Sequence, residues 1–245
     1  MLAKTDKEWR VRVLIRFCLV GCALALASCG RSSPHATILS MKERELGGPA
    51  FPTRIIVNRR YVRIDPDTGT GNYILFDRKQ GVIYSVNVSD RTILVIHSHP
   101  VTLKRPATLT NVVQRGQTKG HFLGYPLVHY RLLTAGEQCY DIEVAKDLLP
   151  HAVKALAAYA ETLAGEQAIT AENTPTGLES PCDLADNVFD PGRAYAQGFP
   201  VRMLDAEKNE KVLVSFKQHV TVKRALFVLP AHYVRYSPGE VRNGG

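Results

Sequence analysis

The chain has 245 residues, of which 45% are hydrophobic, and it carries a formal net charge of +8. This length is enough for one sizeable core or two small ones. The positive excess is compatible with anionic lipid headgroups or peptidoglycan as partners, but it is more typical of an ordinary solubility charge. No Lys/Arg-rich block with interleaved aromatic residues indicates a nucleic-acid partner. We therefore expect a globular protein that does not bind nucleic acid.

The N-terminal segment has the pattern of a secretion signal. Basic residues from Lys4 to Arg16 precede an uncharged apolar run from Phe17 to Ala27. A run of about eleven residues is shorter than the roughly 20 that a membrane-spanning helix needs. Small residues close the run, as in a cleaved signal peptide. We predict that residues 1–28 are removed.

The end of this run, Leu26-Ala27-Ser28-Cys29, resembles the bacterial lipobox. The resemblance implies that Cys29 receives diacylglycerol, becomes the first mature residue and carries further acylation such as palmitate. Two or more acyl chains anchor a protein stably, whereas one does not. Gly30 stands where an aspartate would retain a lipoprotein in the inner membrane, which implies the periplasmic face of the outer membrane. The alternative is ordinary secretion with a free Cys29.

The five cysteines divide by position. Cys18 and Cys22 leave with the signal and Cys29 takes lipid, so Cys139 and Cys182 remain. Two cysteines in an oxidising compartment indicate one disulfide, and a loop of this length stabilises the fold by roughly 4 kcal/mol. The alternative is two unpaired buried thiols.

The segment after the short tether (residues 29–35) predicts an antiparallel meander of six strands. Their residues are rich in Ile, Val, Tyr, Phe and Thr, and turn residues separate them. The predicted strands are Thr37–Glu43, Thr53–Asn58, Tyr61–Asp65, Asn72–Asp77, Val82–Asn87 and Thr92–His97. The run Ile93-Leu94-Val95-Ile96 is apolar on both sides and needs cover on both faces, or a lipid or apolar ligand on one of them.

The middle of the chain predicts one long helix. The segment from Pro100 to Tyr125 is the least readable and holds one irregular strand near Leu109–Gln114, followed by a strand pair, Leu127–Leu133 and Gln138–Val144. Helical periodicity then runs from Asp147 to about Glu172. We predict that Asp147 is the N-cap and that Pro150 lies in the first turn.

The C-terminal part predicts a loop and three more strands. Residues 174–198 form the loop, with a helical turn at Cys182–Val188. The strands are Pro200–Asp205, Glu210–Lys217 and Val220–Val228. Residues 36–236 then form a single domain, and the polar tail Ser237–Gly245 is expected to fray.

Two parts of this pattern resemble the periplasmic lipoprotein carriers and their outer-membrane receptor, the LolA/LolB-like group. One is the stretch from Tyr73-Ile74-Leu75-Phe76-Asp77 through Ile93-Leu94-Val95-Ile96, and the other is Leu226-Phe227-Val228-Leu229-Pro230. The resemblance implies an α+β half-barrel, in which one long helix and loops cover one face of a curved antiparallel sheet. In that group the concave face holds acyl chains. This chain departs from the soluble carriers in its lipobox, in several shorter strands and in a single helix bracketed by the cysteine pair.

From this resemblance we expect a non-enzymatic lipoprotein of the cell envelope that binds an apolar ligand or a lipidated partner. The candidate ligand-binding residues are Ile74, Phe76, Ile83, Tyr84, Ile93 and Val95. A second hypothesis is a scaffold without a cavity that binds an envelope protein.

A third, weaker hypothesis is a metal-dependent hydrolase that uses His97 and His99. Two imidazoles two residues apart lie on one face of a strand, but zinc needs a third and usually a fourth ligand. Nothing near them in the sequence supplies these ligands, and we find no catalytic motif. We therefore predict no metal, no cofactor and no enzyme activity.

Overall fold

The computed structural model describes residues 34–67, 71–175 and 178–242. From Pro34 onwards the chain forms a compact unit. This unit contains its own hydrophobic clusters and its own disulfide, so we expect it to fold without the preceding residues. The predicted N-terminal features, including Cys29 and its lipobox, lie outside the described residues.

The described residues contain twelve strands, one long helix and several short helical turns. The strands are β1 His35–Arg44, β2 Phe51–Val57, β3 Tyr61–Asp65, β4 Tyr73–Asp77, β5 Val82–Asn87, β6 Thr92–His97, β7 Asn111–Phe122, β8 Tyr125–Thr134, β9 Glu137–Ala145, β10 Phe199–Asp205, β11 Glu210–Thr221 and β12 Val234–Tyr236. The helices are α1 Pro150–Asn173, α2 Pro181–Asp183, continued by a π-helical turn Leu184–Phe189, and α3 Pro238–Arg242; 3-10 turns span Arg193–Tyr195 and Arg224–Phe227.

The strands form one sheet in the order β12-β6-β5-β4-β3-β2-β1-β11-β10-β9-β8-β7. Two antiparallel meanders, β1 to β6 and β7 to β11, meet where β1 pairs with β11. Among the described strands, only β12 is parallel to its neighbour, β6. The sheet is curved and open, and α1 packs on it across β2, β3, β5, β6 and β10. This confirms the predicted α+β class with one long covering helix.

The main core lies between α1 and the sheet. Strand alternation directs one row of side chains from each strand towards the helix. The helix contributes Leu148 and Leu149 from its entry and Ala152, Ala155 and Leu156 from its first turns, all buried. The small alanines allow the helix to approach the strands closely.

The opposite face of the sheet is covered by the chain after β11. Phe227 is buried there and stacks on Tyr61 with ring centroids 5.4 Å apart. The buried Arg63 donates to the Leu226 carbonyl oxygen at 3.0 Å and to Asp65 at 2.6 Å. This segment then reaches the edge of the sheet and forms β12. Together with α1, it gives the sheet a cover on both faces.

The disulfide prediction is confirmed. Cys139 on β9 is bonded to Cys182 in α2, with Cα atoms 5.2 Å apart. The bond joins the second meander to the helical segment of residues 181–189, which packs against α1.

The predicted N-cap of the helix is wrong by two residues. Asp147 is exposed, and the N-cap is Leu149 in the left-handed conformation, without a side-chain cap. Proline disfavours the right-handed helical conformation in the residue before it, so Pro150 sets the start. Pro150 does lie in the first turn, as predicted.

Three predictions for the remaining elements also need correction. The strand Val220–Val228 does not form, because β11 continues to Thr221 and a 3-10 turn follows. The irregular strand near Leu109–Gln114 is the long edge strand β7. Part of the tail Ser237–Gly245 is the short helix α3.

Candidate functional site

A cavity of about 350 Å³ lies between α1 and the sheet. Strands β1 to β4 supply one wall, and α1, the 3-10 turn at Arg193–Tyr195, β10 and β11 supply the others. The lining residues are Met41, Glu43, Thr53, Ile55, Ile64, Ile74, Leu156, Tyr159, Tyr195, Phe199, Pro200, Met203 and Lys211.

The apolar wall follows from strand register. Leu39 is paired with Ile55, Ile55 with Ile64 and Ile64 with Ile74 across four neighbouring strands. Paired residues on adjacent strands point to the same face. The branched side chains therefore form a continuous row, and three of them, Ile55, Ile64 and Ile74, border the cavity.

Polar groups also border the cavity. Lys211 Nζ lies 3.2 Å from Glu43 Oε2, and the carboxylate is the more buried partner. Burial, the nearby Glu43 carboxylate and the Tyr159 hydroxyl raise the pKa of Tyr195 to about 12. Burial also raises the pKa of Tyr159. Both phenols are therefore neutral hydrogen-bond donors at physiological pH.

Neither phenol forms a hydrogen bond with another residue in the described part of the chain. Both side chains are half-buried. Tyr159 and Tyr195 are thus able to donate to a polar group within the cavity. A small number of placed polar groups among apolar walls is the usual composition of a ligand pocket.

The six candidate residues predicted from the sequence lie on both faces of the sheet. Ile74 borders the cavity, while Phe76 and Ile83 are buried in the core beside it. Phe76 packs edge-on against Tyr159, with centroids 5.9 Å apart.

The other three candidates face the opposite side. Tyr84 packs in the cluster beneath the C-terminal segment. Val95 is paired with Tyr84, and Ile93 is two residues away on the same strand, so both share its face. The six residues therefore do not line one surface.

Sequence reasoning missed the polar residues of the cavity. Tyr159 follows Leu156 by three residues and precedes Leu163 by four, so the helical period could have identified it. Tyr195 lies in a segment rich in Pro and Gly, which gives no periodic signal. Glu43 and Lys211 are brought together only by the pairing of β1 with β11.

The two histidines considered for metal binding lie near the edge of the sheet. His97 is exposed at the end of β6, and His99 Nε2 lies 3.4 Å from Glu166 Oε2. The described residues contain no group of three or more His, Cys, Asp or Glu side chains placed to hold a metal ion. None of the helices in the described ranges is long and apolar enough to cross a membrane.

No protein-family model matches the chain, and no curated protein matches its sequence. Among solved structures, it is similar to an uncharacterized conserved protein from Thermus thermophilus, with 10% identity and a TM-score of 0.43, over 83% of this chain and 91% of that one. It is also similar to PNGF-II, with 9% identity and a TM-score of 0.43, over 85% of this chain and 32% of that one. A LolA superfamily protein from Nitrosomonas europaea matches with 9% identity and a TM-score of 0.28, over 82% of this chain and 91% of that one. Identities and TM-scores this low carry no statement about function.

Proposed function

We propose that this protein is a non-enzymatic lipoprotein, anchored through Cys29 at the periplasmic face of the outer membrane, whose interior cavity binds one apolar chain. This apolar chain is the acyl chain of a single-chain amphiphile or of a lipidated partner protein. The observation that supports this proposal is the cavity between α1 and the sheet, with its row of isoleucines.

The size and polarity of the cavity favour this class of ligand. Its volume of about 350 Å³ is near the lower end of the range for ligand pockets, roughly 300–1,000 Å³. Such a space suits one chain better than a bulky multi-chain lipid. Tyr159, Tyr195 and the Glu43–Lys211 pair would receive the polar end of an amphiphile.

Native mass spectrometry of residues 30–245, produced in an oxidising periplasm without the lipid anchor, tests the cavity. We expect a lipid-sized adduct that is released on unfolding. Ile74→Trp should remove the adduct because the larger side chain fills the space. Val214→Trp is the matched control, since Val214 is 56% exposed. A bare wild-type mass under gentle conditions, together with no binding of a fluorescent fatty acid, would contradict the proposal.

The lipid anchor needs a separate experiment. In the full-length chain, radiolabelled palmitate should be incorporated, and the protein should fractionate with the outer membrane. Cys29→Ser should abolish both results, while Cys18→Ser, within the predicted signal, should not. Label in the Cys29→Ser chain would show that the lipobox assignment is wrong.

An exposed edge strand favours a second candidate function, a scaffold that pairs with an envelope protein. β7 lies at one edge of the sheet and is exposed along almost its whole length, with Val112 and Val113 each about half exposed. An edge strand offers unpaired backbone groups to a partner strand. A photo-crosslinking residue at Val113 should then capture one partner in cells, whereas the same residue at the exposed Leu178 should not.

A further inference from the structure

A second cavity, of about 430 Å³, opens on the surface beside the start of β1. It shares no lining residue with the interior cavity. Its basic residues come from separate parts of the chain and are His35, Arg59, Arg78, His151 and His219.

The lining of this second cavity contains no carboxylate. Neither Arg59 nor Arg78 forms an ion pair with another described residue. The Arg78 guanidinium is instead fixed by backbone carbonyl groups: Nη1 donates to Asn58 at 3.2 Å and to Arg59 at 3.4 Å. Its Nε is buried without a hydrogen-bond partner in the described part of the chain. A buried unsatisfied donor is costly, and no carboxylate among the described residues compensates the Arg78 charge.

The start of α1 adds to the positive potential. His151 is the second residue of this helix, which has neither a side-chain N-cap nor an acidic residue in its first turn. Pro150 has no N–H, and the Ala152 and Val153 N–H groups donate to the Leu149 carbonyl oxygen, so it is the helix dipole that favours an anion at this end. The guanidinium groups add the planar donor geometry that matches phosphate oxygens.

The position of the second cavity also points to a membrane ligand. His35 lies six residues after Cys29, and six extended residues span at most about 20 Å. If Cys29 carries the anchor, as proposed above, this cavity stays near lipid headgroups.

We infer that the second cavity binds a phosphate-bearing anion, and that its source is the headgroup of an anionic phospholipid. Arg59 and Arg78 hold the phosphate oxygens, and the three histidines border them. Binding at this cavity is independent of binding in the interior cavity.

Vesicle co-sedimentation of the fragment 30–245 tests this inference. The vesicles consist of phosphatidylcholine with or without phosphatidylglycerol, in about 0.15 M salt, where long-range attraction is screened. We expect binding to the anionic vesicles to weaken about tenfold in Arg59→Gln/Arg78→Gln, because two charge-assisted contacts are lost. The matched control is Arg115→Gln/Arg235→Gln, which removes the same charge from exposed positions at the two edges of the sheet and should change binding less than about twofold.

Titration with inorganic phosphate, followed by the imidazole NMR signals of His35, His151 and His219, distinguishes the sources. Saturable shifts that are lost in Arg59→Gln/Arg78→Gln support the phosphate site, and competition with the vesicles shows that the same site holds the headgroup. Shifts without vesicle binding would assign the site to free phosphate and overturn the headgroup source. Equal weakening by the two double variants, or no binding of either probe, would overturn the inference. The test uses neither the lipid anchor nor the interior cavity. A negative result would therefore contradict the phosphate site without contradicting the proposed function.

Discussion

Arg63 links the sheet to its C-terminal cover. It is 8% exposed, lies with its guanidinium 3.6 Å from the Tyr73 ring centroid, and bonds both Asp65 and the Leu226 carbonyl. Its removal would leave the buried Asp65 with one fewer cation and the Leu226 carbonyl without this donor.

We predict that Arg63→Met lowers the free energy of unfolding by about 3 kcal/mol, since breaking a buried ion pair costs roughly 3–5 kcal/mol. Urea unfolding of residues 30–245 measures this change. Arg44→Met is the control: Arg44 is 54% exposed, and surface pairs contribute about 0–1 kcal/mol. Equal losses of unfolding free energy in both variants would show that Arg63 does not stabilise the contact between the sheet and its C-terminal cover.

Asp186 gives the protein a specific pH dependence. It pairs with Arg193, yet burial raises its pKa from 3.8 to about 6. The folded protein therefore holds this proton more tightly than the unfolded chain does. This contribution to stability is complete below about pH 4 and is lost as pH rises through about 6.

Unfolding by urea at a series of pH values, compared between the wild type and Asp186→Asn, isolates this effect. As pH rises from about 4 to about 6, the unfolding free energy of the wild type should fall relative to that of Asp186→Asn. A difference that is constant over this range would show that Asp186 ionises equally in both states.

At the scale of the elements, Gly165 allows α1 to approach the chain after β6. A Cβ at this position would lie 2.2 Å from the His99 carbonyl oxygen. Glycine inside a helix normally costs about 0.5–1 kcal/mol relative to alanine. The close approach reverses that preference here.

We therefore predict that Gly165→Ala destabilises the fold, although the same change stabilises most helices. Thermal unfolding should show a lower Tm by several degrees, since about 1 kcal/mol corresponds to roughly 2–4 °C in a protein of this size. Gly48→Ala, whose Cβ would lie 3.5 Å from its nearest neighbour, should change the Tm little. A higher Tm for Gly165→Ala would show that the helix and this backbone are not in contact.

At the scale of the whole molecule, the disulfide holds the two ends of a 43-residue loop that contains α1. We predict that Cys139→Ser/Cys182→Ser loses about 2–4 kcal/mol of unfolding free energy. Urea unfolding with and without reductant measures it, and the double variant should match the reduced wild type. Insensitivity of the wild type to reductant would contradict this role.

The local parts of this fold could be predicted from the sequence, and the long-range parts could not. Tyr61–Asp65, Val82–Asn87 and Thr92–His97 agree residue for residue with β3, β5 and β6, because β-rich runs between turn residues specify them locally. The parallel edge strand β12 could not be predicted, because a strand of three residues is too short to show an alternation of apolar and polar side chains.

The same limit applies to both cavities. Ile74 was found because it belongs to a strongly apolar strand. Lys211 meets Glu43, and His219 meets His35, only through the pairing of β1 with β11, which no pattern of local spacing encodes.

The pairing of β1 with β11 also bears on how the protein reaches its folded state. Arg44 and its partner Glu210 are 166 residues apart, so the first strand has no second neighbour until most of the chain is available. Before then β1 leaves the first meander with an open inner edge, and such edges invite pairing with other chains. A chain that is synthesised N-terminus first passes through this state, and contacts between distant residues form slowly. We therefore expect its biogenesis to depend on chaperones that shield strand edges, and its overproduction to yield aggregates before it yields folded protein.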